Sequence, residues 1–145
     1  MNRSEMENVM NSNKVVSGAK ILLVDDDADF LMQNEMKFKS SGYTVRTAQT
    51  MDEARKAFGE HNPDVVVLDL MMEEKDAGII LAHTFRRLQP KLPIVMVTGI
   101  TRETGMMFDT ANYEERSWIK ADRVLPKPIR FDQLKREVEI LLAAR

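Results

Sequence analysis

Residues 64–70 read DVVVLDL, a β-branched apolar run that stops on Asp69. Residues 20–25, KILLVD, repeat the pattern and stop on Asp25. Short, continuous apolar runs of this kind mark strands buried on both faces, as in a parallel sheet. Working outward, residues 43–48, 93–97 (PIVMV) and 123–125 supply three more short strands. Helical patterns fill the gaps. Residues 28–39 carry Leu31 and Phe38 one heptad apart, with Asn34 between them on the face where an apolar residue is expected. Thr50 and Glu53 have capping-box spacing and open a helix over residues 51–60, with Ala54, Ala57 and Phe58 inward. Leu81, Phe85 and Leu88 form the apolar stripe of a helix over 77–88, and Leu134, Val138 and Leu141 that of a helix over 131–142. A further helix is expected over 113–120, where Trp118 packs onto the sheet. Strands alternating with helices predict a parallel α/β sheet covered on both sides. Ligands in such sheets collect at the carboxyl ends of the strands, near a switch in strand order.

Bulk properties narrow the function classes. The 145 residues suffice for one domain with one core. A formal net charge of -2 shows no basic excess for nucleic acid or anionic membrane. With no Cys, disulfides, thiolate metal sites and Cys nucleophiles are excluded together, which suits a reducing compartment. His61 and His83 are the only histidines and are far apart in sequence, so a His-rich metal site is excluded. Residues 1–18 are polar, lack the apolar centre of a signal peptide, and read as a mobile tail. No apolar run reaches transmembrane length. A cytoplasmic protein is expected, with residues 19–145 as its one domain.

The predicted strand ends carry the chemistry. Asp25-Asp26-Asp27 follow the first strand, Asp69 ends the third, Thr98-Gly99 the fourth and Lys127 follows the fifth. In a parallel sheet these ends share one edge, so acids, a hydroxyl and an ammonium converge. Clustered carboxylates repel, and a hard cation such as Mg²⁺ relieves the repulsion. Asp69 could then act as a nucleophile toward phosphorus, a reaction that needs in-line geometry and charge neutralisation more than covalent help. Lys127 and Thr98 would meet the phosphoryl oxygens, and Gly99 would leave room for its own N–H. Taken singly, each residue has an ordinary reading. Asp27 reads as the N-cap of the first helix, Lys127 as a solvated loop lysine and Thr98 as a turn residue. Four strand ends bearing complementary groups are harder to attribute to capping.

ILLVDDD, VVVLDLMM, IVMVTG and VLPKP together resemble the receiver domain of bacterial two-component response regulators. The resemblance implies a flavodoxin-like, doubly wound, five-stranded parallel sheet with five helices. It implies that Asp25 and Asp26 are the acidic pair for Mg²⁺ or Mn²⁺, Asp26 being the more direct ligand. It makes Asp69 the phosphoacceptor and Met71 the residue whose backbone carbonyl completes the metal site. Thr98 matches the switch hydroxyl, and Lys127 the family lysine, followed by Pro128. The implied partners are a sensor histidine kinase or a histidine phosphotransfer protein, plus a downstream protein target, with no nucleic acid and no membrane. Catalysis would be limited to self-phosphorylation from small donors and autodephosphorylation. No output domain is expected, so the chain resembles a stand-alone receiver.

Four departures stand out. Glu73 replaces the usual Pro after Met72, which adds an acid beside the site. Gly78 falls one place late after Asp76-Ala77. Val124 stands where the family carries an aromatic switch residue, and the span from Thr98 to Lys127 is long. That span contains Met106, Met107 and Phe108, which could either fill a satellite core or repack as a switch. Two rival readings use the same residues. One is a receiver fold that never carries phosphate and serves only as an interaction module. The other is a haloacid-dehalogenase-type phosphatase with Asp25 and Asp27 as its acid pair, for which no late acidic pair follows Lys127.

Overall fold

The computed structural model describes residues 18–99 and 120–145. Five strands, β1 (Lys20–Val24), β2 (Thr44–Ala48), β3 (Val65–Asp69), β4 (Ile94–Thr98) and β5 (Arg123–Pro126), form one parallel sheet in the order β2-β1-β3-β4-β5. Four helices lie among the described residues: α1 (Ala28–Ser40), α2 (Met51–His61), α3 (Ala77–Leu88) and α4 (Phe131–Ala144). The expected helix over 113–120 and the residues Met106, Met107, Phe108 and Trp118 fall within 100–120, of which 100–119 lie outside the described residues, as do residues 1–17. No described helix is long and apolar enough to cross a membrane.

The period-two pleat divides each strand between two cores. Leu22, Val24, Val66, Leu68, Ile94 and Met96 face α2 and α3. Ile21, Leu23, Val65, Val67, Val95 and Val97 face α1 and α4. Phe58 of α2 stacks on Phe85 of α3 with ring centroids 4.2 Å apart, and Phe38 of α1 meets Phe131 of α4 edge-on at 4.8 Å. Helices on both faces account for strands that read as unbroken apolar runs rather than alternating ones. The strand order reverses between β1 and β3, so their carboxyl ends open a crevice at the centre of one sheet edge.

The caps follow the sequence. Asp27 accepts from the N–H groups of Asp29 and Phe30, and Thr50 Oγ1 accepts from the Glu53 N–H. Glu53 returns its carboxylate to the Gln49 N–H at 2.7 Å. Two apolar stripes differ from the expected ones. Leu88 is 64 % exposed, because it is the last residue of α3 and the chain leaves the core at the Gln89 cap. In α4 the buried stripe is Leu134, Val138 and Leu142, and Leu141 sits at its margin. At 3.6 residues per turn, i, i+4 and i+8 advance in steps of about 40°, so the buried stripe drifts to one side of Leu134 and leaves i+7, on the other side, at its edge.

Gly78 shows how tightly α3 docks against the strand that ends in Asp69. A Cβ there would lie 2.2 Å from the backbone oxygen of Asp69 and 2.7 Å from Leu70 Cα. The Gly78 N–H also donates to the Leu70 carbonyl at 3.0 Å. Gly78→Ala must therefore displace backbone on one side or the other, and urea denaturation is expected to show a loss of about 1–3 kcal/mol. An unchanged urea midpoint would contradict this close packing.

Candidate phosphoryl-acceptor and metal site

Each candidate side chain stands where an apolar strand runs out. Asp25 follows β1 and is fully buried, its N–H donating to Ala48 O at the end of β2. Its Oδ1 accepts from the Asp27 N–H at 2.9 Å and its Oδ2 from Lys127 Nζ at 2.7 Å. Asp69, the last residue of β3, is 5 % exposed. Its Oδ1 accepts from the Met71 N–H at 3.3 Å, and its Oδ2 lies 3.7 Å from Lys127 Nζ. Asp26 is exposed at the mouth. Carboxylate oxygens of Asp25, Asp26 and Asp69 all lie within 4.8 Å of one another. Thr98 ends β4, is buried, and is joined to the loop after β5 by the Lys127 N–H donating to its carbonyl at 2.7 Å. The Lys127–Pro128 peptide is cis.

Asp25, Asp26, Asp69, Thr98 and Lys127 are thus brought to one edge, with Met71 in the loop directly after Asp69. Glu73 stays outside the cluster of three carboxylates: its carboxylate accepts from the Met51 N–H at 2.7 Å and caps α2. The acid beside the site is spent on a helix N-terminus, where the helix dipole and unpaired N–H groups favour it. The space at Gly99 also differs from expectation. A Cβ there would meet Lys127 Cδ at 3.8 Å, an ordinary contact, so neighbouring atoms do not require a glycine.

Among the described residues, the three clustered carboxylates face the Lys127 ammonium, an excess of two formal negative charges in a largely buried place. Burial, and then the Asp25 charge, push the Asp69 carboxyl up to about 7 against the opposing pull of Lys127. Burial disfavours the charged Lys127, but the hydrogen bond to Asp25 and the charges of Asp69, Asp25 and Asp27 outweigh it and hold its pKa above the ordinary lysine value. A buried carboxyl pair with an exposed third acid is a hard-oxygen donor set with unrelieved negative charge, which fits a divalent cation such as Mg²⁺.

Against this geometry the comparisons are consistent. The model of the response regulator receiver domain matches residues 21–139. The chain is 30 % identical over 130 residues to the transcriptional regulatory protein PrrA of Mycobacterium bovis, covering 90 % of this chain and 52 % of that protein. It is 32 % identical over 123 residues to the alkaline phosphatase synthesis transcriptional regulatory protein PhoP of Bacillus subtilis, covering 85 % and 48 %. The chain therefore spans about half the length of these curated relatives. The receiver domain of a Francisella response regulator superposes with a TM-score of 0.73 at 28 % identity, covering 88 % of this chain and 98 % of that one. The Thermotoga maritima response regulator TrrA, solved in complex with Mg²⁺ and BeF, gives 0.67 at 28 % identity, covering 85 % and 98 %. This chain belongs to the response regulator receiver family, the signalling domain of two-component systems.

The raised Asp69 carboxyl makes a signed prediction for metal-free protein. In the unfolded chain an Asp titrates near 3.9, so between about pH 4 and pH 7 the folded state binds a proton that the unfolded state does not. Stability supplied by that proton is complete below about pH 4 and is lost as pH rises through about 7. In EDTA at pH 8, Asp69→Asn should be more stable than wild type by on the order of 2 kcal/mol, with the difference vanishing near pH 4. Equal stabilities at both pH values in urea titrations would contradict the crowding.

Proposed function

We propose that this domain accepts a phosphoryl group on Asp69 from a phosphohistidine, carried by a sensor histidine kinase or a histidine phosphotransfer protein. One observation supports this above the others: buried Asp69 lies 3.7 Å from the Lys127 ammonium inside a cluster of three carboxylates. A carboxylate oxygen of Asp69 attacks phosphorus, the N–P bond of the donor breaks, and its electron pair leaves with the imidazole nitrogen. Lys127 meets one phosphoryl oxygen and the Thr98 hydroxyl another. Asp25, Asp26, Asp69 and the Met71 carbonyl would hold the metal. When bound, Mg²⁺ supplies two positive charges against the carboxylate excess and the phosphoryl oxygens.

Asp25 has the double role of metal ligand and resting partner of Lys127. Lys127, 2.7 Å from Asp25 and 3.7 Å from Asp69, would be freer to turn to Asp69 where positive charge is supplied to Asp25. The domain takes in residues 19–145 and acts in the cytoplasm as a signalling module whose only catalysis is on itself. The formal net charge of -2 favours a protein target over nucleic acid or anionic lipid. Val124 is half-buried against the α2–α3 core and too small to swing as an aromatic would, so a conformational signal must leave by another element.

Incubation with acetyl phosphate and Mg²⁺ should add one phosphoryl mass to the intact chain, and Asp69→Asn should abolish the addition. Labelling that persists in the variant would overturn the assignment. Asp26→Ala, at an exposed position, should weaken Mg²⁺ binding at least about tenfold, or 1.4 kcal/mol, in a calorimetric titration. Unchanged affinity would reduce the acidic pair to a structural cap.

A further inference from the structure

Lys127 has a third neighbour besides the two carboxylates. Its Nζ lies 4.8 Å from the centroid of the Phe30 ring, in the first turn of α1. An ammonium at that distance from an aromatic face is attracted by the ring quadrupole. The ring is well held. Phe30 is half-buried and packs against the core shared by α1 and α4. Its N–H donates to the Asp27 cap at 3.2 Å, and its carbonyl accepts from Asn34 Nδ2 at 2.8 Å. Asn34 is the polar residue that interrupts the apolar face of α1. It is 8 % exposed, and its amide fastens the turn that carries Phe30.

We propose that Phe30 is a positioning residue for Lys127, holding the ammonium inside the pocket where it meets the phosphoryl group on Asp69. A ring face does what water and a carboxylate cannot. It covers part of the ammonium without taking a proton, neutralising the charge or offering a competing ligand to a metal. Lys127 therefore stays charged and poorly hydrated, and its attraction for a phosphoryl oxygen is stronger than it would be in open solvent. Lys127 in turn is tethered from three elements: the end of β1 through Asp25, the end of β3 through Asp69, and α1 through Phe30. This inference rests on the reading of Lys127 as the phosphoryl-binding cation.

The test uses beryllofluoride as the phosphoryl probe in saturating Mg²⁺, with wild type, Phe30→Leu and Phe30→Trp compared in the full chain. Loss of a cation–π contact of this kind should weaken beryllofluoride binding in Phe30→Leu about three- to tenfold. Mg²⁺ affinity should stay within about twofold, since one pK unit or tenfold would signal a changed acid cluster. Phe30→Trp should bind beryllofluoride as well as wild type or better, because indole has the stronger quadrupole. In wild type, the Lys127 Cε protons should resonate upfield of a free lysine, shifted by the ring; this reading needs no variant to fold. Beryllofluoride binding equal in wild type and Phe30→Leu would overturn the inference, as would parallel losses of beryllofluoride and Mg²⁺ affinity or an unshifted Lys127 resonance. Failure of wild type to bind beryllofluoride at all would instead strike the underlying assignment of Asp69 and Lys127.

Discussion

Two carboxylates buried side by side at the reversal of strand order are the constraint on which the rest of this structure depends. Asp25 and Asp69 end neighbouring central strands, so the sheet brings them together whether or not their charges agree. Water cannot relieve the repulsion, because both are buried. The chain responds with a lysine from the far side of the sheet, 102 residues along, bonded to one acid and within reach of the other. The Asp27 and Met71 N–H groups add hydrogen bonds to the acids, yet the excess of negative charge remains. A site in this condition is prepared to bind a cation. It is a poor place for stability and a good place for chemistry.

The same crowding organises the surroundings. The loop after β3 carries a further acid, Glu73, which stays outside the cluster of three carboxylates. It is tied to the start of α2, 22 residues back in the chain. Gly78 lets α3 seat directly on the backbone of Asp69 and Leu70. On the other side of the sheet, the Asp27 cap and the Asn34 amide fix the turn of α1 that presents Phe30 to Lys127. At Glu73 and Gly78, where the sequence departs from the family pattern, the loop is held by the Met51 N–H and by the close seat of α3 on β3.

Much of this could be read from the chain. The apolar runs before Asp25 and Asp69 define central strands because only a strand covered on both faces tolerates such sequences. The convergence of Asp25, Asp69, Thr98 and Lys127 followed from parallel topology, and the caps at Asp27 and Thr50 from local chemistry. The misreadings share a cause. Glu73 could be read as an acid beside the site, but that its carboxylate caps α2 depends on which N–H groups are nearby in three dimensions. Leu88 fits the helical period yet is exposed, because it stands at the last residue of its helix. Asn34 looked out of place because a periodic pattern cannot show that a buried amide has a carbonyl one turn back to bind. The nearness of Phe30 to Lys127 gave no signal, since the two residues are 97 positions apart and neither belongs to a shared motif.

The central claim is that negative charge excess at the Asp25–Asp26–Asp69 cluster controls the site, so that a phosphoryl-like anion enters only after a cation has neutralised it. Fluorine-19 NMR of beryllofluoride titrated into the protein, first in EDTA and then with Mg²⁺, tests this most directly. The predicted result is no bound fluorine signal without Mg²⁺ and a saturable bound signal once Mg²⁺ is present. A bound signal of equal strength in EDTA would contradict the account.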